Sequence, residues 1–204
     1  MPIHFGTDGW RAVISDTFTF DNLRMVAQAI ADAVASEHWT KPTNGDQAQG
    51  GVLSGGSSDL RDPQSKDPER IVVGYDTRFL SDRFAGEVSR VLAANGFVVH
   101  LTQSDSPTPA VSYAVKNLGA VGGVMITASH NAPRYNGVKL KGAFGGSALP
   151  EQCRRVEVYI NDNEEQARGP NLMDFKKARD LGLIVKFNPL PAYYDHLRTL
   201  IHSD

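Results

Sequence analysis

The sequence predicts an α/β fold: a three-layer α/β/α domain with a mixed, mostly parallel sheet. Two observations point there. Between residues 70 and 127 short apolar runs alternate with amphipathic stretches through short connections. Strand, helix, strand, helix, strand in that order is the pattern of a parallel sheet covered by helices on both faces. The chain has 204 residues, of which 41% are hydrophobic and 22% charged, which is enough apolar material for one sizeable core.

The elements follow in order. Residues 21–38 place Leu23, Val26, Ala27, Ile30, Ala31 and Val34 on one helical face, with Asp21 expected as N-cap. The stretch 41–68 is dominated by Gly, Ser, Asp and Pro, too polar to offset its ordering entropy, and reads as a mobile surface loop. "RIVVGYD" (70–76) reads as a strand and 82–95 as a helix with Phe84, Val88, Val91 and Leu92 on one face, stopped by Asn95-Gly96. "FVVHL" (97–101) is a second strand. Thr108 is expected to cap the next helix, with Pro109 in its first turn and Gly119 at its end. "AVGGVMIT" (120–127) is a third strand, and "GVKLKG" a fourth. Residues 150–161 form an amphipathic helix, 163–180 is ambiguous, "LGLIVKF" is a further strand, and 188–204 is a helix running to the chain end. Trp10 and Trp39 read as core residues, and Thr7 and Asp8 as caps of the turn before Trp10.

The totals exclude several function classes. A net charge of −2 gives no electrostatic case for nucleic acid or an anionic membrane surface. No apolar run approaches the ~20 residues of a membrane span, and the opening "MPIHFGTDGW" lacks signal-peptide regions. One cysteine, Cys153, allows no internal disulfide, and the histidines show no metal-ligand spacing. These features favour the cytoplasm.

The chemistry concentrates in "VMITASHNAPRYNGVKL" (124–140), where an apolar strand gives way to Ser129, His130 and Asn131 and a lysine follows at Lys139. Ligands of open parallel sheets bind beyond the carboxyl ends of the strands. Ser129 lacks the G-x-S-x-G setting of a hydrolase nucleophile. An adjacent His130 in an extended segment would point away from it, which disfavours Ser–His proton transfer. No nucleotide-binding glycine fingerprint is present. Taken alone, Ser129-His130-Asn131 is equally a simple turn. A phosphoryl carrier explains more: a phosphoserine carries about −1.5 to −2 charges and three acceptor oxygens, and needs donors and cations such as His130, Asn131, Lys139 and Arg11 around it.

"TASHNAPRYNGVKL" resembles the active-serine loop of the α-D-phosphohexomutases, the phosphoglucomutase/phosphomannomutase superfamily. "FGTDGWR" (5–11) resembles the opening signature of that family and "VGYDTR" (73–78) a third landmark of its first domain. The resemblance implies that Ser129 is a phosphoserine, which gives its phosphoryl group to a hexose phosphate and recovers one from the bisphosphate. Through that phosphate Ser129 would contribute an oxygen to Mg²⁺. It implies a positioning or proton-transfer role for His130, a general acid or base at Lys139, a phosphate-facing guanidinium at Arg11 and, with Asn131, phosphate binding. Arg78 matches a residue more structural than catalytic. Ala132 stands where the family usually has proline.

The resemblance covers only the first of the family's four domains. The expectation is therefore a phosphohexomutase domain over 1–188 and a helix over 189–204 leading to an absent second domain. Its partners would be the hexose phosphate and the missing domains of the same chain. The acidic metal loop and the sugar-recognition loop of the later domains have no counterpart here, so the chain alone is expected to be inactive. Two alternatives stand beside this reading, a phosphoglucosamine mutase domain and a stand-alone, non-catalytic sugar-phosphate or partner-binding module.

Overall fold

The computed structural model describes residues 3–6, 9–36, 39 and 68–201. The predicted loop over 41–68, save Pro68, and the expected caps Thr7 and Asp8 lie outside the described residues. A six-stranded sheet runs in the order β1-β5-β4-β2-β3-β6. Its strands are β1 (Gly9–Val13), β2 (Arg70–Tyr75), β3 (Val98–Thr102), β4 (Gly122–Ile126), β5 (Tyr135–Gly142) and β6 (Ile184–Phe187). Four of them, β4, β2, β3 and β6, are mutually parallel. β5 is antiparallel to both of its neighbours, β4 and β1. The sheet is thus mixed, as the sequence predicts. β1 is an addition to the sequence reading.

Helices cover both faces. α1 (Phe20–Ala35), α2 (Ser81–Ala94), α4 (Pro150–Glu165) and α5 (Phe175–Asp180) lie on one side, α3 (Thr108–Asn117) and α6 (Leu190–Leu200) on the other. Alternation along the strands sorts the two cores. Trp10, Ala12, Ile71, Val73, Val124, Ile126, Val138 and Leu140 enter the larger core with α1, α2 and α4. Val72 and Met125 enter a smaller one under α3. Two strand glycines explain how α3 comes so close: a Cβ on Gly74 would collide with Val111, and one on Gly123 would stand 2.6 Å from Val115 Cγ2.

All six residues predicted for the apolar face of α1 are buried. Each fully buried Leu, Val or Ile contributes about 1.5–3 kcal/mol. Trp10 stacks on Phe18 at 4.8 Å, and Trp39 is buried with its indole N–H donating to the Val121 carbonyl at 2.9 Å. Helix starts and ends need three corrections. Thr19, not Asp21, caps α1: its Oγ1 accepts from the Asn22 amide at 3.2 Å. Asp21 instead sits in the first turn, where it complements the helix dipole. Thr108 is already helical, because the Pro107 carbonyl accepts the first turn's amides from Ala110 and Val111. α6 stops at Leu200, with Ile201 extended, rather than running to the chain end. Among the described residues no helix is long and apolar enough to cross a membrane.

α1 and α2 are tied by charge. Glu87 accepts from Arg24 Nε at 2.7 Å and from Arg90 Nη1 at 2.7 Å. Burial alone would raise this carboxyl's pKa, but the hydrogen bonds and charges of Arg90 and Arg24 outweigh it and hold it below the usual carboxylate range. A lowered folded pKa means stability that is present above the ordinary glutamate value, about 4.3, and lost as pH falls through the folded value. Glu87→Gln is expected to lower stability at neutral pH by about 1 kcal/mol and to flatten this acid limb. Urea melts of both proteins from neutral to acid pH check this; superimposable curves would contradict it.

Candidate active site

The site is built where β4 ends and the chain doubles back into β5. Beyond Ile126, Thr127 still pairs with β5, its amide donating to the Gly137 carbonyl at 2.9 Å. The buried Thr127 hydroxyl then accepts from the Ser129 amide at 2.9 Å. Ser129 itself is exposed and adopts φ +54°, the left-handed region that few non-glycine residues occupy. Two turns follow, closed by the Asn131 amide to the Ala128 carbonyl at 3.1 Å and the Tyr135 amide to the Ala132 carbonyl at 3.0 Å. Ala132 in place of the expected proline leaves the second turn intact, with Pro133 inside it. His130 is exposed, while Asn131 Oδ1 is buried with no hydrogen-bond partner in the described structure.

The two cations predicted from distant sequence meet on one sheet face. Arg11 stands opposite Gly137 in the β1–β5 register, and Lys139 stands opposite both Gly9 on β1 and Met125 on β4. Directly paired residues share a face, and diagonal neighbours lie about 7–8 Å apart. Arg11 and Lys139 are therefore diagonal neighbours on the α3 side of the sheet. α3 packs over β2 and β4 and reaches β5, and both cations remain half-buried. A Cβ on Gly137 would lie 2.9 Å from Arg11 Cγ and 2.7 Å from the Thr127 carbonyl oxygen. The stem of Arg11 and the strand end leading to Ser129 thus flank the same glycine. At Gly9, φ is +152° and a Cβ would collide with the Val138 carbonyl, so β1 lies against β5 only because that residue has no side chain.

The loop is secured by groups that the sequence did not single out for it. From the β2–α2 turn, Arg78 donates to the carbonyls of Ser129, Asn131, Ala132 and Tyr135 at 2.6–3.1 Å. Asp76 holds Arg78 in turn: its Oδ1 accepts from the Arg78 amide at 3.0 Å and from Ser81 Oγ at 2.9 Å. Its Oδ2 faces Arg78 Nε at 3.5 Å. The fully buried Asn136 donates to Ser81 Oγ at 2.9 Å and accepts from the Gly137 amide at 2.8 Å. Arg78 and Asp76 had a signal in the sequence as part of "GYDTR", and Asn136 as part of "YNG"; that these groups and Ser81 meet at the serine loop is set by tertiary contacts.

Comparison with known proteins follows the same lines. Residues 57–167 match the family described as phosphoglucomutase/phosphomannomutase, alpha/beta/alpha domain I. The chain belongs to this family. A phosphoglucomutase of Staphylococcus saprophyticus is 43% identical over 98 residues, 48% of this chain and 18% of that protein. A phosphoglucomutase of Staphylococcus aureus strain MRSA252 is 34% identical over 136 residues, 64% of this chain and 24% of its own. A crystal structure described as a candidate phosphomannomutase from Thermus thermophilus superposes with a TM-score of 0.71 at 31% identity, covering 99% of this chain and 37% of that one. The chain thus spans between a sixth and a quarter of the length of these curated relatives.

Mg²⁺ can be tested against the donors in this domain I. No Asp or Glu lies between Thr127 and Lys139, and among the described residues no group of three or more His, Cys, Asp or Glu could hold an ion. Both oxygens of the nearby Asp76 are engaged. These residues do not form a metal site by themselves.

Gly137 gives the site a direct structural test. Gly137→Ala puts a methyl group against two carbonyl oxygens and the Arg11 stem, and is expected to cost about 1–3 kcal/mol of stability, the usual range for overpacking. Chemical denaturation measures it; an unchanged midpoint would show that β1 and β5 are not held as described.

Proposed function

We propose that this chain is the phosphoserine-bearing first domain of an enzyme that interconverts hexose 1-phosphate and hexose 6-phosphate. The observation that supports it most is the junction itself: an exposed serine hydroxyl at the end of β4, beside a sheet face that carries Arg11 and Lys139 in adjacent register positions.

In the first half-reaction a hydroxyl of the bound hexose phosphate attacks the phosphorus on Ser129. The bond between phosphorus and Ser129 Oγ breaks, a new phosphorus–oxygen bond forms to the sugar, and the proton of the attacking hydroxyl passes, directly or by relay, to the released Ser129 Oγ. The bisphosphate then presents its other phosphate, and Ser129 Oγ takes that group back. Such transfers need positioning and charge stabilisation more than covalent chemistry from the protein. Arg11 supplies a fixed, always-charged guanidinium, and Lys139 either a second cation or the group that relays the sugar proton. Asn131 and His130 offer donors to phosphate oxygens. Mg²⁺, when bound, would neutralise charge on the transferring group; with no carboxylates at hand in the active-serine loop, its remaining ligands would come from later domains of a longer chain, into which α6 would lead. Those domains would also select the sugar.

Incubation with glucose 1,6-bisphosphate and Mg²⁺, followed by intact mass and peptide mapping, tests the carrier role. One phosphoryl group on the peptide 124–139, absent in Ser129→Ala, is expected once the chain is joined to the later domains of the enzyme; phosphate at another residue, or none, would refute it. The 204-residue chain by itself is expected to show no turnover of glucose 1-phosphate, and full turnover would overturn the reading of it as one domain of the enzyme.

A further inference from the structure

We propose that Arg78 is the positioning residue of the active-serine loop. Its guanidinium gathers four loop carbonyls and thereby fixes the left-handed backbone from which Ser129 presents its hydroxyl. The functional meaning of this rests on Ser129 being the phosphoryl carrier; the structural claim stands apart from it.

Donor arithmetic carries the argument. A guanidinium has five N–H donors in a rigid planar fork. Nη1 donates to the Ala132 and Tyr135 carbonyls at 3.0 and 3.1 Å. Nη2 donates to the Ser129 and Asn131 carbonyls at 2.7 and 2.6 Å. Nε faces the Asp76 carboxylate at 3.5 Å. The Nη groups are taken by loop carbonyls and Nε faces a carboxylate, so the guanidinium is committed to protein groups although it stands beside the serine loop. Its role is to act through the loop.

The loop in turn depends on it. Four carbonyl dipoles that converge on one point repel each other unless a cation sits between them, and removing the fork would take from the Ser129 and Asn131 carbonyls the charged donor they share. The Ser129 carbonyl is one of the four, and Ser129 is the residue with φ +54°, a conformation that persists only where its surroundings impose it. The other end of the clamp is anchored. The Asp76 amide donates to the Ile126 carbonyl of β4, and Ser81 connects Asp76 to the buried Asn136 of β5. Arg78 thereby transmits the position of the sheet to the serine backbone. Lysine cannot replace it, since its three donors radiate from a single nitrogen.

The test uses the 204-residue chain and nitrogen-resolved NMR. In the wild-type protein the Arg78 Nη hydrogens should appear as separate, slowly rotating, exchange-protected signals at low temperature. In Arg78→Lys and Arg78→Gln, amide exchange at Ser129, Asn131 and Tyr135 should rise about tenfold or more, as expected for loss of a net hydrogen bond or two, with β2 and β4 amides unchanged. The Ser129 Cα and Cβ shifts should leave the left-handed range, and methylguanidinium should restore them in Arg78→Gln. Averaged, rapidly exchanging Arg78 signals in the wild type would overturn the proposal. So would unaltered Ser129 shifts in folded variants, or a uniform rise in exchange across the sheet. If neither variant folds, the wild-type nitrogen spectrum decides alone. Failure of Ser129 to accept a phosphoryl group would refute the proposed function and leave these outcomes untouched.

Discussion

The site depends on one reversal of direction. After β4 the chain turns back and lies antiparallel between β4 and β1 as β5. Because side chains alternate along a strand, β5 divides its residues sharply: Val138 and Leu140 enter the main core, while Lys139 shares the opposite face with Arg11. A slip of one residue in register would bury the lysine under α1 and α4 and expose the apolar pair. Burial of Val138 and Leu140 therefore fixes where the ammonium group stands. Core formation and placement of the cations are one constraint, and β1 completes it by presenting Trp10 to the core and Arg11 to the other side.

The serine loop is held in place in a different way. It has little apolar surface of its own, since Ser129, His130, Ala132, Pro133 and Arg134 are all exposed. What holds it is polar: Thr127 at its start, two turn hydrogen bonds, and the guanidinium of Arg78 beneath. Hydrogen bonds to a charged group contribute more than neutral ones, about 1.5–3 kcal/mol net. A loop that presents its side chains to solvent cannot be secured by burying them. Pinning its carbonyls from below leaves the hydroxyl outward.

α6 shows the opposite case. It has no buried residue and meets the rest of the domain through α3, where Tyr113 stacks on His196 at 4.6 Å and lies 6.2 Å from Tyr193. Tyr194, Leu200 and Ile201 are exposed. The sequence reads this stretch as a helix, yet that alone does not say what a face will pack against.

The sequence by itself determined the fold class, the order of the elements from 70 to 127, the buried face of α1 and the position of Ser129 at a strand end. These follow from local periodicity and turn chemistry, which act over a few residues. It did not determine β1, because the period-two pattern of Trp10-Arg11-Ala12 is too short to separate from a loop. Nor did it reveal the caps Thr19 and Pro107, since several polar or rigid residues compete at each helix start. Only the tertiary structure decided that Arg78 serves the Ser129 loop, that Asp76, Ser81 and Asn136 form its anchor, and that Arg11 and Lys139 are diagonal neighbours. Those relations join residues 51 to 57 positions apart at Arg78 and across the β1–β5 register. Strand pairing and hydrogen-bond geometry in space set them, and local propensity carries no information about either.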